Sequence, residues 1–106
     1  MAEDIDKIKS IIKQYIEIVK QNKINVEKIY LFGSYARGTA TEDSDIDIAI
    51  ISKDFNGDRF EDRGRIVPLR RKIDWRIEPM PFRPEDFTTG HPLAVEIIRN
   101  GIEINV

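Results

Sequence analysis

Two short apolar runs constrain this chain more than any other feature. Residues 46–51 are apolar at every position except Asp47, and residues 26–32 are nearly as continuous through Ile29, Tyr30, Leu31 and Phe32. Runs of that length without strict polar alternation read as strands covered on both faces. The branched Cβ of isoleucine suits an extended backbone. Such a sheet needs helices to cover it, and the patterning supplies them. Across residues 4–21, Ile5, Ile8, Ile12, Ile16 and Val19 recur at three- and four-residue steps, and Asp4 stands where a helix cap would. A second helix is expected over 58–72 with Asp58 as cap, although Gly64 and Pro68 both weaken it. A third strand is expected over 73–78, followed by a stiff connection through Pro79, Pro81 and Pro84. Pro92 opens a short helix that Asn100-Gly101 ends, and 102–106 alternates like a terminal strand. Helices interleaved with apolar strands predict an α/β (or α+β) fold with a mixed sheet flanked by helices.

Size and composition narrow the chemistry. At 106 residues the chain has room for a single domain, 1–106. With no cysteine, disulfides, a thiolate zinc site and a cysteine nucleophile are excluded, and a single histidine rules out a multi-histidine metal site. The net charge of −2 counts against nucleic acid as a partner held by overall charge. No apolar stretch approaches the ~20 residues of a membrane span, and the acidic first residues do not read as a leader, so no membrane association and a cytoplasmic location are expected.

The chemistry-bearing stretch begins where the first strand stops. Gly33 lets backbone approach a ligand closely, Ser34 adds a hydroxyl beside exposed N–H groups, and Arg37 adds a cation suited to phosphate oxygens. After ten intervening residues come Asp45 and Asp47, at i and i+2, so both carboxylates leave one face of the second strand while Ile46 points into the core. Two adjacent carboxylates ask for a cation, and oxygen-only ligands favour Mg²⁺ or Mn²⁺. Asp74, on the expected third strand, is the candidate third carboxylate, with Glu78 as the alternative. Three such groups could hold two ions roughly 3.5–4 Å apart, the separation used for displacement at phosphorus.

Gly33-Ser34, ten residues, then Asp45-x-Asp47 on an apolar strand resembles the signature of nucleotidyltransferases with the polymerase-β-type fold. The fuller run from Gly33 to Ile50 resembles the minimal nucleotidyltransferase branch, over most of the chain. The resemblance implies a polymerase-β-like core transferring a nucleoside monophosphate, AMP from ATP, with Mg²⁺. By matched position, Gly33 and Ser34 would hold the triphosphate, Asp45 and Asp47 would ligate both metals, and Asp74 would be the third ligand and help deprotonate the acceptor hydroxyl. Bracing of the pyrophosphate by Arg37 is read from its charge alone. The same branch is commonly paired with a HEPN toxin, so the resemblance implies an antitoxin that adenylylates a tyrosine of a HEPN partner. The alternatives are a non-catalytic module that neutralises its partner by binding, and transfer to RNA or a small molecule.

Three features stand outside this motif. Arg59, Arg63, Arg65, Arg70, Arg71, Lys72, Arg76 and Arg83 make the second half arginine-rich, by default a solvated helix face and otherwise a docking surface for an acidic partner or RNA. His91 reads as a cap or surface residue, and Trp75, opposite the acidic face, as core. An exposed sheet edge at 102–106 offers a homodimer contact.

Overall fold

The computed structural model describes residues 4–105. Helix α1 (Ile5–Gln21) leads into strand β1 (Lys28–Phe32), the one-turn helix α2 (Ser34–Arg37), strand β2 (Ile46–Ile51) and helix α3 (Arg59–Ile66). A 3₁₀ segment (Val67–Lys72), strand β3 (Ile77–Phe82), helix α4 (Pro92–Asn100) and the two-residue strand β4 (Ile102–Glu103) complete the order. The strands form one sheet in the order β3-β2-β1-β4, with β1 antiparallel to both β2 and β4, and β2 parallel to β3. This is the expected mixed sheet flanked by helices.

Each face of the sheet has its own core. Ile29 and Leu31 of β1, Ile46, Ile48 and Ile50 of β2, and Ile77 of β3 pack with the α1 stripe and with Ile66 of α3. The opposite face carries Ala49, Ile51 and Phe82 against Ile97 of α4, with Tyr30, Phe32, Phe87 and Leu93 around them. Strand alternation puts Asp47 on this second face, between Phe32 of β1 and Glu78 of β3, its register partners. Asp4 caps α1 by accepting from Asp6 N, and Asp58 caps α3 by accepting from Phe60 N and Glu61 N, both as read from the sequence.

On the first face, helices α1 and α3 are tied together by a buried polar contact. Tyr15, fully buried, donates its hydroxyl hydrogen to the carbonyl of Ile66 at 2.6 Å, satisfying a carbonyl near the end of α3. Burial pushes this phenol's pKa well up, with the nearby positive charges of Arg70 and Arg63 pulling the other way. Tyr15→Phe keeps the ring and strands that carbonyl. It is expected to cost about 1–2 kcal/mol and lower the melting temperature by roughly 5–10 °C, read by thermal denaturation.

Five expectations need correction. The long helix over 58–72 stops being α-helical at Ile66 and tightens into the 3₁₀ segment, because Pro68 has no N–H for the i−4 ladder. The third strand runs over Ile77–Phe82, not 73–78. Asp74 folds its own backbone into a turn, accepting from Arg76 N at 2.9 Å, while Asp74 N and Ile73 N both donate to Arg70 O. Pro79 and Pro81, expected in a connection, lie inside the strand. Ile46 N donates to Arg76 O and Ser52 N to Phe82 O, so even-numbered residues face β2 and the two prolines fall where an N–H would face away from the sheet. Trp75, expected in the core, is 65% exposed. The expected terminal strand shrinks to Ile102–Glu103, and Val106 lies outside the described residues.

Candidate active site

The end of β1 sets the site. Gly33 follows Phe32 with φ 73° and ψ −152°, a conformation essentially reserved for glycine. The reason is proximity: a Cβ on Gly33 would overlap Asp47 Oδ2 and lie 3.1 Å from its Cγ. The sharp bend starts α2, whose first turn is closed by Arg37 N donating to Gly33 O at 3.1 Å. Gly38 ends it in the left-handed conformation, and Thr39 N donates to Ser34 O. Ser34 is half-buried and Arg37 exposed at the rim of the same turn.

Asp45 immediately precedes β2, and Asp47 is its second residue. Ile46 between them is fully buried on the other face, as expected from alternation. Asp47 is only half-buried, yet its pKa is pushed up to about 6. Loss of hydration is the main cause, the negative charges of Asp45 and Glu78 add to it, and the Arg37 guanidinium opposes it. Three charged side chains singled out by sequence, Asp45, Glu78 and Arg37, therefore act on Asp47. Gly33, Arg37 and Asp47 form one wall of a cavity of about 250 Å³, and Leu93, Glu96 and Asn100 of α4 form the other. No motif announces these three α4 residues. Their spacing along one helical face is the only signal of them the sequence holds.

The two candidates for a third carboxylate are placed very differently. Asp74 sits in the turn before β3, gripped by the guanidinium of Arg76 at 3.1 Å (Nε to Oδ1) and 2.8 Å (Nη2 to Oδ2). That hydrogen bonding holds its carboxyl below the usual carboxylate range, with burial opposing. It is not among the charges that move Asp47. Glu78 is in β3, in direct parallel register with Asp47. Its Oε1 accepts from Arg63 Nη2 at 2.7 Å and its Oε2 from Arg70 Nη1 at 3.3 Å. The same two arginines donate to the outward carbonyls of Pro79 and Ile77, so they both cover the sheet edge and hold Glu78. Among the described residues, no three His, Cys, Asp or Glu side chains lie within reach of one metal ion. The donor chemistry nonetheless suits a hard dication: Asp45 and Asp47 offer only oxygen, and Asp47 carries a repulsion that a cation would relieve.

His91 caps α4, its Nδ1 accepting from Ala94 N at 3.4 Å, in line with its reading as a cap. No helix among the described residues is long and apolar enough to cross a membrane.

Comparison with known proteins places this geometry. The family model described as "Nucleotidyltransferase domain" matches residues 12–100. A Methanocaldococcus jannaschii protein named "Putative protein adenylyltransferase MJ0141" is 40% identical over 103 residues, covering 86% of this chain and 99% of its own length. "Protein adenylyltransferase MntA" of Shewanella oneidensis is 46% identical over 39 residues, 37% of this chain and 28% of its own length. In fold, the chain is similar to a crystal structure described as "a putative nucleotidyltransferase from Sulfolobus solfataricus", with TM-score 0.65 and 22% identity over 92% of this chain and 78% of that one. A family match that runs from the middle of α1 to the last residue of α4 takes in the whole Gly33–Asp47 turn and both strands that flank it, and the chain belongs to the nucleotidyltransferase domain family.

Proposed function

We propose that this chain transfers AMP from ATP to a hydroxyl of a partner protein, and that the partner is a HEPN-type toxin which the transfer silences. The observation that carries the transfer reading is half-buried Asp47, two residues from Asp45 and in parallel register with Glu78, lining one cavity together with Gly33 and Arg37. The names of the similar proteins support a protein as acceptor. The HEPN partner and the antitoxin role follow from the resemblance of the Gly33–Asp47 motif to the minimal branch.

In this reading Gly33 and Ser34 cradle the triphosphate, with Gly33 giving the close backbone approach and Arg37 bracing the pyrophosphate end. Asp45 and Asp47 would hold Mg²⁺, which supplies charge neutralisation on the phosphate oxygens. The acceptor oxygen attacks the α-phosphorus as the bond to the bridging oxygen breaks. Pyrophosphate departs and the acceptor proton passes to a carboxylate and then to solvent. The residue best placed for that proton is Glu78, the parallel register neighbour of Asp47, rather than Asp74, which lies in the turn before β3 and is not among the charges that act on Asp47.

The test uses ATP labelled at the α-phosphorus, Mg²⁺, the purified chain and a HEPN protein. Label is expected on a tyrosine of that protein and is expected to vanish with Asp45→Ala. Label on RNA alone would overturn the protein acceptor, and neutralisation surviving Asp45→Ala in an intact complex would favour the binding module. Glu78→Gln is expected to slow transfer about 100-fold or more with ATP binding retained, whereas Asp74→Asn should cost less than about tenfold. The reverse order in single-turnover rates would return the third role to Asp74.

A further inference from the structure

The sheet edge beyond β3 carries features that nucleotidyl transfer itself does not use. Among the described residues, three large apolar side chains are exposed, and two of them, Phe60 (87%) and Trp75 (65%), flank the arginine pair that holds Glu78. Arg70 stacks its guanidinium over the Trp75 ring at 5.6 Å from the centroid while donating to Glu78. On the other side, Arg63 lines a shallow apolar groove of about 310 Å³ with Phe60, Gly64, Val67 and Pro68. These positions follow helical spacing along the outer side of α3, opposite buried Asp62 and Ile66. A line of contact thus runs from groove to Arg63, to Glu78, to Arg70, to Trp75, and Glu78 is the register neighbour of Asp47.

The charge of this edge is one-sided. Residues 59–76 hold seven basic and three acidic side chains in a chain of net charge −2. All three acids are engaged internally. Asp62 accepts from Asn56 N and Gly57 N, Glu61 from the Asn56 amide, and Asp74 from Arg76. Arg59, Arg71 and Lys72 are exposed and make no ion pair among the described residues.

We infer that this edge is the docking surface for the acceptor protein, and that it takes an acidic segment bearing an apolar or aromatic anchor. The anchor seats in the Phe60–Pro68 groove and against Trp75, and flanking carboxylates pair with Arg59, Arg71 and Lys72. An acceptor seated there touches Arg63 and Arg70 directly and brings its hydroxyl to the Glu78 side of the site. The acidic remainder of the chain and the apolar lining of the groove favour a polypeptide over RNA. The inference rests on the protein-acceptor reading above and is tested separately from it.

Trp75 is the only tryptophan, so its emission reports docking without any catalysis. The probe is a random copolymer of glutamate and tyrosine, with lysine–tyrosine copolymer, polyglutamate and oligouridine as comparators, titrated in the absence of nucleotide. Binding is followed by Trp75 emission and by polarisation of labelled polymer. The glutamate–tyrosine polymer is expected to bind at least about tenfold more tightly than each comparator. Phe60→Ser, and separately Arg71→Glu with Lys72→Glu, should each weaken it about tenfold or more, while Lys13→Glu on α1 leaves it unchanged. MgATP affinity should be the same in all of these proteins. Equal binding of polyglutamate, tighter binding of oligouridine, or indifference to the Phe60 and Arg71/Lys72 variants would overturn the docking surface. Transfer of label from ATP to the bound polymer is scored independently. Docking without transfer would count against the enzymatic reading and leave the surface standing, and transfer insensitive to these variants would do the opposite.

Discussion

Asp47→Asn is expected to give a protein that melts at a higher temperature at pH 7 and transfers no nucleotide. The sign follows from the direction of the shift. Asp47 is raised from the ordinary 3.8 to about 6 in the folded protein by burial and by the charges of Asp45 and Glu78. Between those values the folded state binds a proton that the unfolded chain releases, so stability falls as pH rises through that window. The penalty is absent below about pH 3.8 and complete above about pH 6. A shift of that size corresponds to at most about 3 kcal/mol, and solvent around a half-buried group reduces it to about 1–2 kcal/mol. Asparagine keeps the shape and removes the charge, so the variant should gain roughly 5–10 °C at pH 7 and almost nothing at pH 4, by paired thermal melts. Millimolar Mg²⁺ should raise the melting temperature of the wild type and not of the variant, because the ion relieves the same repulsion. A variant that melts lower than wild type at pH 7 would mean that Asp47 is not the strained carboxylate of this site.

The amino-acid sequence alone carries that strain in outline. Asp45 and Asp47 at i and i+2 on an apolar strand can only share a face, because alternation along a strand is a local property of the backbone. The Gly33-Ser34 stop is equally local. The identity of the third carboxylate is not, because it depends on where β3 begins. The segment 73–78 looks extended by composition, but Asp74 competes for its own backbone and turns it, which delays the strand to Ile77 and carries Glu78 into register with Asp47. Pro79 and Pro81 hide the strand for the same kind of reason. Proline is barred from a central strand, and nothing in the local sequence says that this one lies at an edge. Trp75 misleads because alternation along the expected strand would put it opposite the acidic face, while it lies in the turn before Ile77 with a guanidinium at the surface as its partner. The α4 wall of the cavity is invisible for a tertiary reason: Glu96 and Asn100 matter only once α4 is laid against the face that carries Asp47.

Gly33→Ala should also abolish transfer, but with the opposite effect on stability, and the contrast shows what the glycine is for. Two costs act at that position. The backbone, at φ 73° and ψ −152°, is one that an L-residue enters only with strain of about 1–3 kcal/mol. The new methyl would also overlap Asp47 Oδ2, so the carboxylate must rotate out of the cavity mouth or β1 must part from β2. Gly38 separates the two costs. It too has a positive φ, 77°, but a Cβ there would meet nothing within 4 Å. Gly38→Ala should therefore cost only about 1 kcal/mol and leave transfer within about threefold. Gly33→Ala is expected to lose roughly 100-fold or more in transfer and about 10 °C in melting temperature. Combining it with Asp47→Ala removes the overlap and keeps the backbone strain, so the double variant should be more stable than additivity predicts by about 1 kcal/mol or more. Strict additivity in that cycle would show that the glycine serves the turn alone. A positive coupling would show that strand end and carboxylate are fitted to one another, with the missing side chain at Gly33 leaving the space in which Asp47 meets its ligand.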